Sequence, residues 1–201
     1  MSVIEIPGNI DFVFTSSPKK VLFNKLEIDN LSGLIITRDR KVIMRNLSLQ
    51  LLEGNVIISG EYNTQDMKSP LVDLTLDVEK IDIPSAFNSL VTIQKLAPVA
   101  ERTSGTVSTN LDFTSFLGEG MMPVMNSIVA KEKLESEQIS IEKTETFDMI
   151  NGILKTEKFK DITMKDLAID YSVRNGRVYI EPYQTKIGNT ELVMGGDQGI
   201  D

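Results

Sequence analysis

The chain holds 29 aspartates and glutamates but no histidine and no cysteine. The serine–histidine–aspartate triad, cysteine nucleophiles and ordinary zinc sites all need residues that are missing here. Paired carboxylates could still serve as the acid and base of a glycosidase. Asp73 and Asp77 share a face of an extended strand, but four residues separate them by roughly 13 Å, too far for either glycosidase class. Glu27 and Asp29, two residues apart, would stand roughly 7 Å apart, inside the inverting range. Alternating strands place such pairs on their wet faces routinely, so a solvated strand face is the plainer reading. There is no G-x-x-x-x-G-K-[ST] phosphate loop, and Gly118 and Gly120 are followed by Pro123 where a dinucleotide loop needs a third glycine. No twelve-residue calcium loop is present. These residues point to a non-enzymatic protein with no metal and no cofactor.

The elements carrying these residues read as strands. Val72-Asp73-Leu74-Thr75-Leu76-Asp77-Val78 alternates apolar and polar throughout, as a half-buried strand does. Leu47–Leu51, Val107–Phe113 and Leu167–Val173 do the same. Asn175-Gly176 supplies the positive φ angles of a tight hairpin, so Val178-Tyr179-Ile180 pairs back antiparallel. Gly54-Asn55 and Gly188-Asn189 mark turns equivalent to one another, near the two ends of the chain, and Pro182 implies an edge position or a strand break. Two segments depart from alternation. Residues 84–100 show helical spacing at Ala86, Leu90, Ile93 and Ala97, starting at Pro84 or Ser85 and kinked or ended by Pro98. Residues 146–154 place Phe147, Ile150 and Leu154 on one face, weakened by Gly152. Gly118–Pro123 reads as a loop.

The start and end of the chain carry the same pattern. Residues 23–60 overlay residues 159–196 without a gap at a spacing of 136 positions (159 − 23). Phe23 meets Phe159, Leu31 meets Leu167, Arg38 meets Arg174, Val42 meets Val178 and Gly60 meets Gly196. Apolar positions agree between these anchors, and Asp39-Arg40 falls on Asn175-Gly176. A duplicated strand unit is the reading that accounts for this.

Composition sets the outer bounds. Two hundred and one residues are enough to bury a core. A net charge of −8 argues against nucleic acid, which binds basic surfaces, and against simple docking on anionic headgroups. No stretch has the apolar length to span a membrane, and Met1–Asp11 has no signal-peptide pattern. The chain is therefore either cytosolic or a piece of a longer protein. About ten amphipathic strands have only two short helices to cover them. Their remaining apolar surface meets a second sheet, another copy or a ligand. The expected fold is mainly β: curved antiparallel sheets forming a groove or a sandwich from repeated strand units, with two short helices.

Several phrases, in order along nearly the whole chain, resemble a known family. They are Ile6-Pro7-Gly8-Asn9-Ile10-Asp11, Leu31-Ser32-Gly33, Gly60-Glu61-Tyr62-Asn63-Thr64 and Asp82-Ile83-Pro84-Ser85-Ala86-Phe87, followed by Gln94-Lys95-Leu96-Ala97-Pro98 and Met121-Met122-Pro123. The last are Asn175–Pro182 and Gly196–Asp201. Together they are similar to the C-terminal region of the AsmA family, in its Bacteroidetes form. That family brings no catalytic residues. The resemblance implies one AsmA-like region over 1–201, part of a longer envelope protein. Such a protein lies in the periplasm and is tethered to the inner membrane by an anchor absent from this chain. It implies repeated β-groove units that carry phospholipid in outer-membrane biogenesis.

An apolar groove suits acyl chains, which need area rather than specific partners. Each buried methylene contributes about 0.8 kcal/mol, so no single residue need be critical. The lipid-facing candidates are Leu74 and Leu76, Leu111 and Phe113, and Ile169 and Tyr171, each pair two apart and so on one face. Ordinary core packing would use the same six positions. The helical insert then serves either as a lid over one end of the sheet or as a plug in its core. The alternative function is a structural or partner-binding scaffold with a sealed core.

Overall fold

The computed structural model describes residues 3–23, 26–142, 151–152, 161–187 and 190–200. Alternation is realised as strands along almost all of this length. They are β1 (Phe12–Ser16), β2 (Lys20–Phe23), β3 (Leu26–Arg38), β4 (Lys41–Leu51), β5 (Gly54–Asn63), β6 (Leu71–Asp82) and β7 (Thr103–Phe116), then β8 (Val129–Ile141), β9 (Ile162–Arg174), β10 (Arg177–Ile187) and β11 (Thr190–Gly199). All eleven belong to one sheet in the order β1-β3-β4-β5-β6-β7-β8-β9-β10-β11, with β2 beside β1 on the same edge of β3. Every pairing is antiparallel. The sheet curves but does not close. The expected mainly β fold of curved antiparallel strands is thus realised as one sheet, and among the described residues no second sheet makes a sandwich.

The duplication is visible strand by strand. β3, β4 and β5 map onto β9, β10 and β11 with the same bounds 136 positions on. Asp39-Arg40 and Asn175-Gly176 are the hairpin tips, with φ of 51°, 63°, 52° and 67°. The ladder of β4 with β5 slips between Met44 and Leu47, and that of β10 with β11 slips between Ile180 and Tyr183, the equivalent positions. Met44 pairs with Gly60 as Ile180 pairs with Gly196. A bulge of this kind bends a strand and increases its twist, so each copy bends at the same place.

Two expectations need correction. Gly54-Asn55 is not the turn itself. Leu52 and Glu53 turn with φ of 51° and 67°, and Gly54 already belongs to β5, where a Cβ would collide with the Glu79 carbonyl. Gly188-Asn189 aligns at the 136-residue spacing with Leu52-Glu53 rather than with Gly54-Asn55, and lies outside the described residues. The expected single helix over 84–100 is broken. It runs as α1 (Ile83–Ser89), α2 (Val91–Leu96) and a 3-10 turn over Pro98–Arg102, because Leu90 is extended at φ −118° and ψ 104°. Asp82 caps α1 by accepting from the Ser85 N–H at 2.8 Å. Of the second helical segment, 146–154, only Asn151 and Gly152 are described; both are helical. Pro182 meets its expectation differently: it sits in the β10 slip, just past Ile180, where the β9–β10 ladder stops and no N–H is needed.

The break at Leu90 lets one short insert reach three places. Ile83, Ala100, Phe87, Ile93 and Ala97 pack with Ile139, Ile141, Ile162, Met164 and Leu167. Ala86 packs with Leu49, Val56 and Ile81. Leu96 packs with Ile128, Ala130, Val173 and Ile200. The insert is therefore a plug on the apolar face rather than a flap over one end. Ile128 is fully buried, and Ile162 is 2 % exposed. Replacing either with alanine is expected to cost about 2–5 kcal/mol in a urea titration. Thr75→Ala, on the opposite and exposed face, should stay within about 0.5 kcal/mol, and Leu76→Ala, half-buried, should fall between. Equal losses at Thr75 and Ile162 would overturn the assignment of faces.

Candidate functional site: an apolar track across the sheet

Side chains directly opposite in an antiparallel ladder share a face. Following the pairs from edge to edge therefore reads out what that face presents. One row runs Phe14, Ile35, Met44, Gly60, Leu74, Phe113, Ala130, Val173, Val178 and Gln198. Only the last is polar. A second row runs Leu47, Ile58, Leu76 and Leu111. Farther along the same face, Glu132 pairs with Tyr171 and Tyr171 with Ile180. A third runs Leu49, Val56, Val78, Thr109, Leu134 and Ile169. With strands about 4.8 Å apart, the apolar part of the first row spans roughly 40 Å.

All six lipid-facing candidates lie on this face. Leu74 pairs directly with Phe113, and Leu76 with Leu111. Ile169 and Tyr171 join them two strands away through Leu134 and Glu132. Every one of the six is half-buried, and none reaches the packing of Ile128 or Ile162. The alternates behave oppositely. Asp73, Thr75, Asp112 and Asp170 are exposed, and outer-face hydroxyls bond outer-face acids: Thr75 Oγ1 donates to Asp112 at 2.9 Å and Thr114 Oγ1 to Asp73 at 3.0 Å. The pattern of two identified the face. It did not identify the other members of the first row, Phe14, Ile35, Ala130 and Val173, because cross-strand partners depend on where each ladder slips. The repeat held the available signal, since it aligns Met44 with Ile180 and Gly60 with Gly196.

The track has a stacked entry and two covered stretches. Phe12 and Phe14 on the edge strand β1 stack with ring centroids 6.0 Å apart and remain 52 % and 39 % exposed. Ala130 and Val173 are covered by Ile128, Ile200 and Leu96. Where β5 ends, the N-terminal segment lies against Tyr62 and Thr64. The Tyr62 hydroxyl donates to the Ile4 carbonyl at 2.6 Å, and the Ile6 N–H donates to Thr64 Oγ1 at 3.1 Å. The Ile4 N–H also points at the Met121 sulfur at 3.3 Å, so Met121 is an internal contact rather than a free loop residue.

Polar groups on this face are few. The Tyr171 hydroxyl lies 3.5 Å from Thr109 Oγ1. Burial pushes the Tyr171 phenol above its ordinary value, and the nearby Glu132 charge pushes it the same way. The inverting pair imagined from sequence is occupied differently. Lys20 forms an ion pair with Glu27 and lies 4.0 Å from Asp29, so a cation stands at both carboxylates. Among the described residues no group of three or more acids gathers as a metal site.

Comparisons with protein-family models, with curated proteins and with solved structures find no match.

The raised phenol links stability to alkaline pH. In the folded chain Tyr171 keeps its proton to higher pH than in the unfolded chain. Its contribution is complete below the unfolded value of 10.0 and is lost as pH rises through the folded value. Tyr62 and Tyr183 are raised by burial too and act in the same sense. Tyr171→Phe is therefore expected to unfold less steeply above about pH 10 than the parent, with unchanged slope below it, in a pH-jump denaturation series. Identical alkaline slopes would show that this phenol is not held in an apolar setting.

Proposed function

We propose that the apolar face binds phospholipid acyl chains, and that the protein is a non-enzymatic lipid-handling part of an AsmA-type envelope protein. The observation that carries this is the unbroken apolar row from Phe14 to Val178, lined at Leu74 and Phe113 by side chains that stay half-exposed. A face serving only as core would be expected to bury those positions. Half the hydrocarbon core of a bilayer is about 15 Å, so the part of the row outside the covered Ala130 and Val173, from Phe14 to Phe113 over roughly 24 Å, is long enough for an acyl chain. Such a surface offers area without directional partners, which suits chains of varying length. The ordered phrases that resemble the AsmA family support the same reading. On it, the protein works in the periplasm, held to the inner membrane by an anchor outside this chain, in outer-membrane biogenesis.

The scaffold reading keeps one specific support. The helical insert enters all three apolar clusters, and Ile128 and Ile200 cover Ala130 and Val173. A sealed face of that kind would hold a partner by its rim and retain no lipid.

The two readings separate experimentally. Native mass spectrometry of the purified chain should retain phospholipid, released by detergent. A photo-crosslinking residue at Leu111 or Ile169 should capture phospholipid in cells, while the same probe at Asp112 or Asp170, one residue away on the other face, captures little. Ile169→Asp should reduce capture, because a carboxylate on the acyl path is costly to desolvate, provided circular dichroism shows the sheet intact. Equal labelling on both faces, or no lipid at any inward position of a folded protein, would sink the lipid reading.

A further inference from the structure

Among the described residues, the three rows that cross the apolar face hold one charged side chain, Glu132. Its ladders fix its place. It stands opposite Tyr171 of β9, and the pairs Thr109–Leu134 and Asp112–Lys131 set it level with Leu111 of β7. Alternation sends its neighbours Lys131 and Lys133 to the other face. There Lys133 reaches Glu135 at 3.9 Å, and Lys131 stands opposite Asp112. No lysine or arginine of the described residues lies within ion-pair distance of Glu132. The side chain is exposed, so water solvates it in the bare chain.

Two hydroxyls accompany this carboxylate. The Tyr171 hydroxyl lies 3.5 Å from Thr109 Oγ1, and both residues are half-buried on the same face. Thr109 Oγ1 donates to the Lys133 carbonyl at 2.9 Å, so it presents lone pairs to the face. Burial first, and the Glu132 charge after it, hold the Tyr171 phenol above its ordinary value, so carboxylate and phenol are electrostatic neighbours. β7, β8 and β9 thus bring a carboxylate, a phenol and a hydroxyl together as an acceptor-rich notch in an apolar face.

The notch stands where the uncovered part of the track ends. The first row is uncovered from Phe14 to Phe113, and one strand on, Ala130 and Val173 are covered by Ile128, Ile200 and Leu96. Glu132 lies one strand over from Phe113 and two residues along, roughly 8 Å away. An acyl chain laid across Glu132 would strip water from a carboxylate and offer no cation in exchange. That costs several kcal/mol, against about 0.8 kcal/mol gained per methylene. The position is closed to the chain itself and suited to a cation joined to it.

We propose that Glu132, Tyr171 and Thr109 receive the primary ammonium of an amine-bearing phospholipid headgroup, with the acyl chain lying along the row toward Phe14. This rests on the acyl-chain reading above and adds the headgroup class to it. A primary ammonium brings N–H donors and no acceptor, the complement of a carboxylate and two hydroxyl oxygens. The face of the Tyr171 ring attracts a cation as well. An anionic headgroup would meet a carboxylate instead, on a chain of net charge −8.

The test offers the lipid-free chain vesicles of phosphatidylethanolamine and phosphatidylglycerol in equal amounts and reads the retained lipid by native mass spectrometry. The parent should retain phosphatidylethanolamine in excess. Glu132→Gln keeps the shape and removes the charge, so the ratio of ethanolamine to glycerol lipid should fall about tenfold, as for one lost charge-assisted hydrogen bond. Glu132→Lys should reverse the preference. Asp170→Asn removes the same charge from the exposed opposite face and should leave the ratio unchanged. Propylamine, an ammonium without an acyl chain, should not displace the lipid at equal concentration. An unchanged ratio in Glu132→Gln, an equal fall in Asp170→Asn, equal retention of both lipids by the parent, or displacement by propylamine would each overturn the proposal. The two readings fail differently. Both lipids retained alike by parent and variants would leave the acyl track standing and remove the headgroup site. Neither lipid retained by the parent would remove both.

Discussion

A single wide sheet has one apolar face, and every strand must deliver its apolar residues to that face in register. This constraint governs the rest of the molecule. A slip of one residue in any ladder would turn a strand's apolar set outward. The ladders here do slip, at Met44/Leu47, Val78/Ile81, Gly105/Ser108 and Ile180/Tyr183, yet the apolar face survives each slip. Bulges on either side of intact runs re-aim the strand so that Leu47 and Met44, three apart, both face inward. The same bulges bend the sheet, so curvature and continuity of the face have one cause.

Coverage of the face is uneven, and that is where function enters. The insert between β6 and β7 and the residues Ile128 and Ile200 close parts of it into three clusters. The buried hydroxyls there are satisfied: Ser136 Oγ donates to the Thr106 carbonyl at 2.6 Å, and Ser115 Oγ to the Phe116 carbonyl at 2.9 Å. Leu76 packs against the second cluster and Leu111 and Phe113 against the third, yet these three and Leu74 keep part of their surface in water. Burying that surface against acyl chains would gain roughly 25 cal/mol per Å². The outer face asks for nothing comparable, since its acids and hydroxyls bond one another in water.

The duplication ties the face to its bends. β3–β5 and β9–β11 have the same bounds 136 positions apart, turn at equivalent tips and slip at equivalent positions. Each three-strand unit therefore bends at the same place and turns the same side inward.

Strand identity, the face each residue takes and the 136-residue repeat were legible in the sequence, because alternation and turn chemistry are local and survive any tertiary arrangement. The hairpin tip at Asn175-Gly176 and the inward set around Leu74 and Leu76 follow from such local rules. The turn at Leu52-Glu53 was not legible, because non-glycine residues at positive φ are held there by the strands they join rather than by their own preference. The break of the insert at Leu90 was not legible either, since helical spacing continues across it and only the reach to three clusters requires it. Alternation also could not choose between a sheet packed on a sheet and one sheet with an open face, because both need the same pattern. The tertiary structure decided that there is one sheet, by joining all eleven strands edge to edge, with no second sheet packed on it among the described residues.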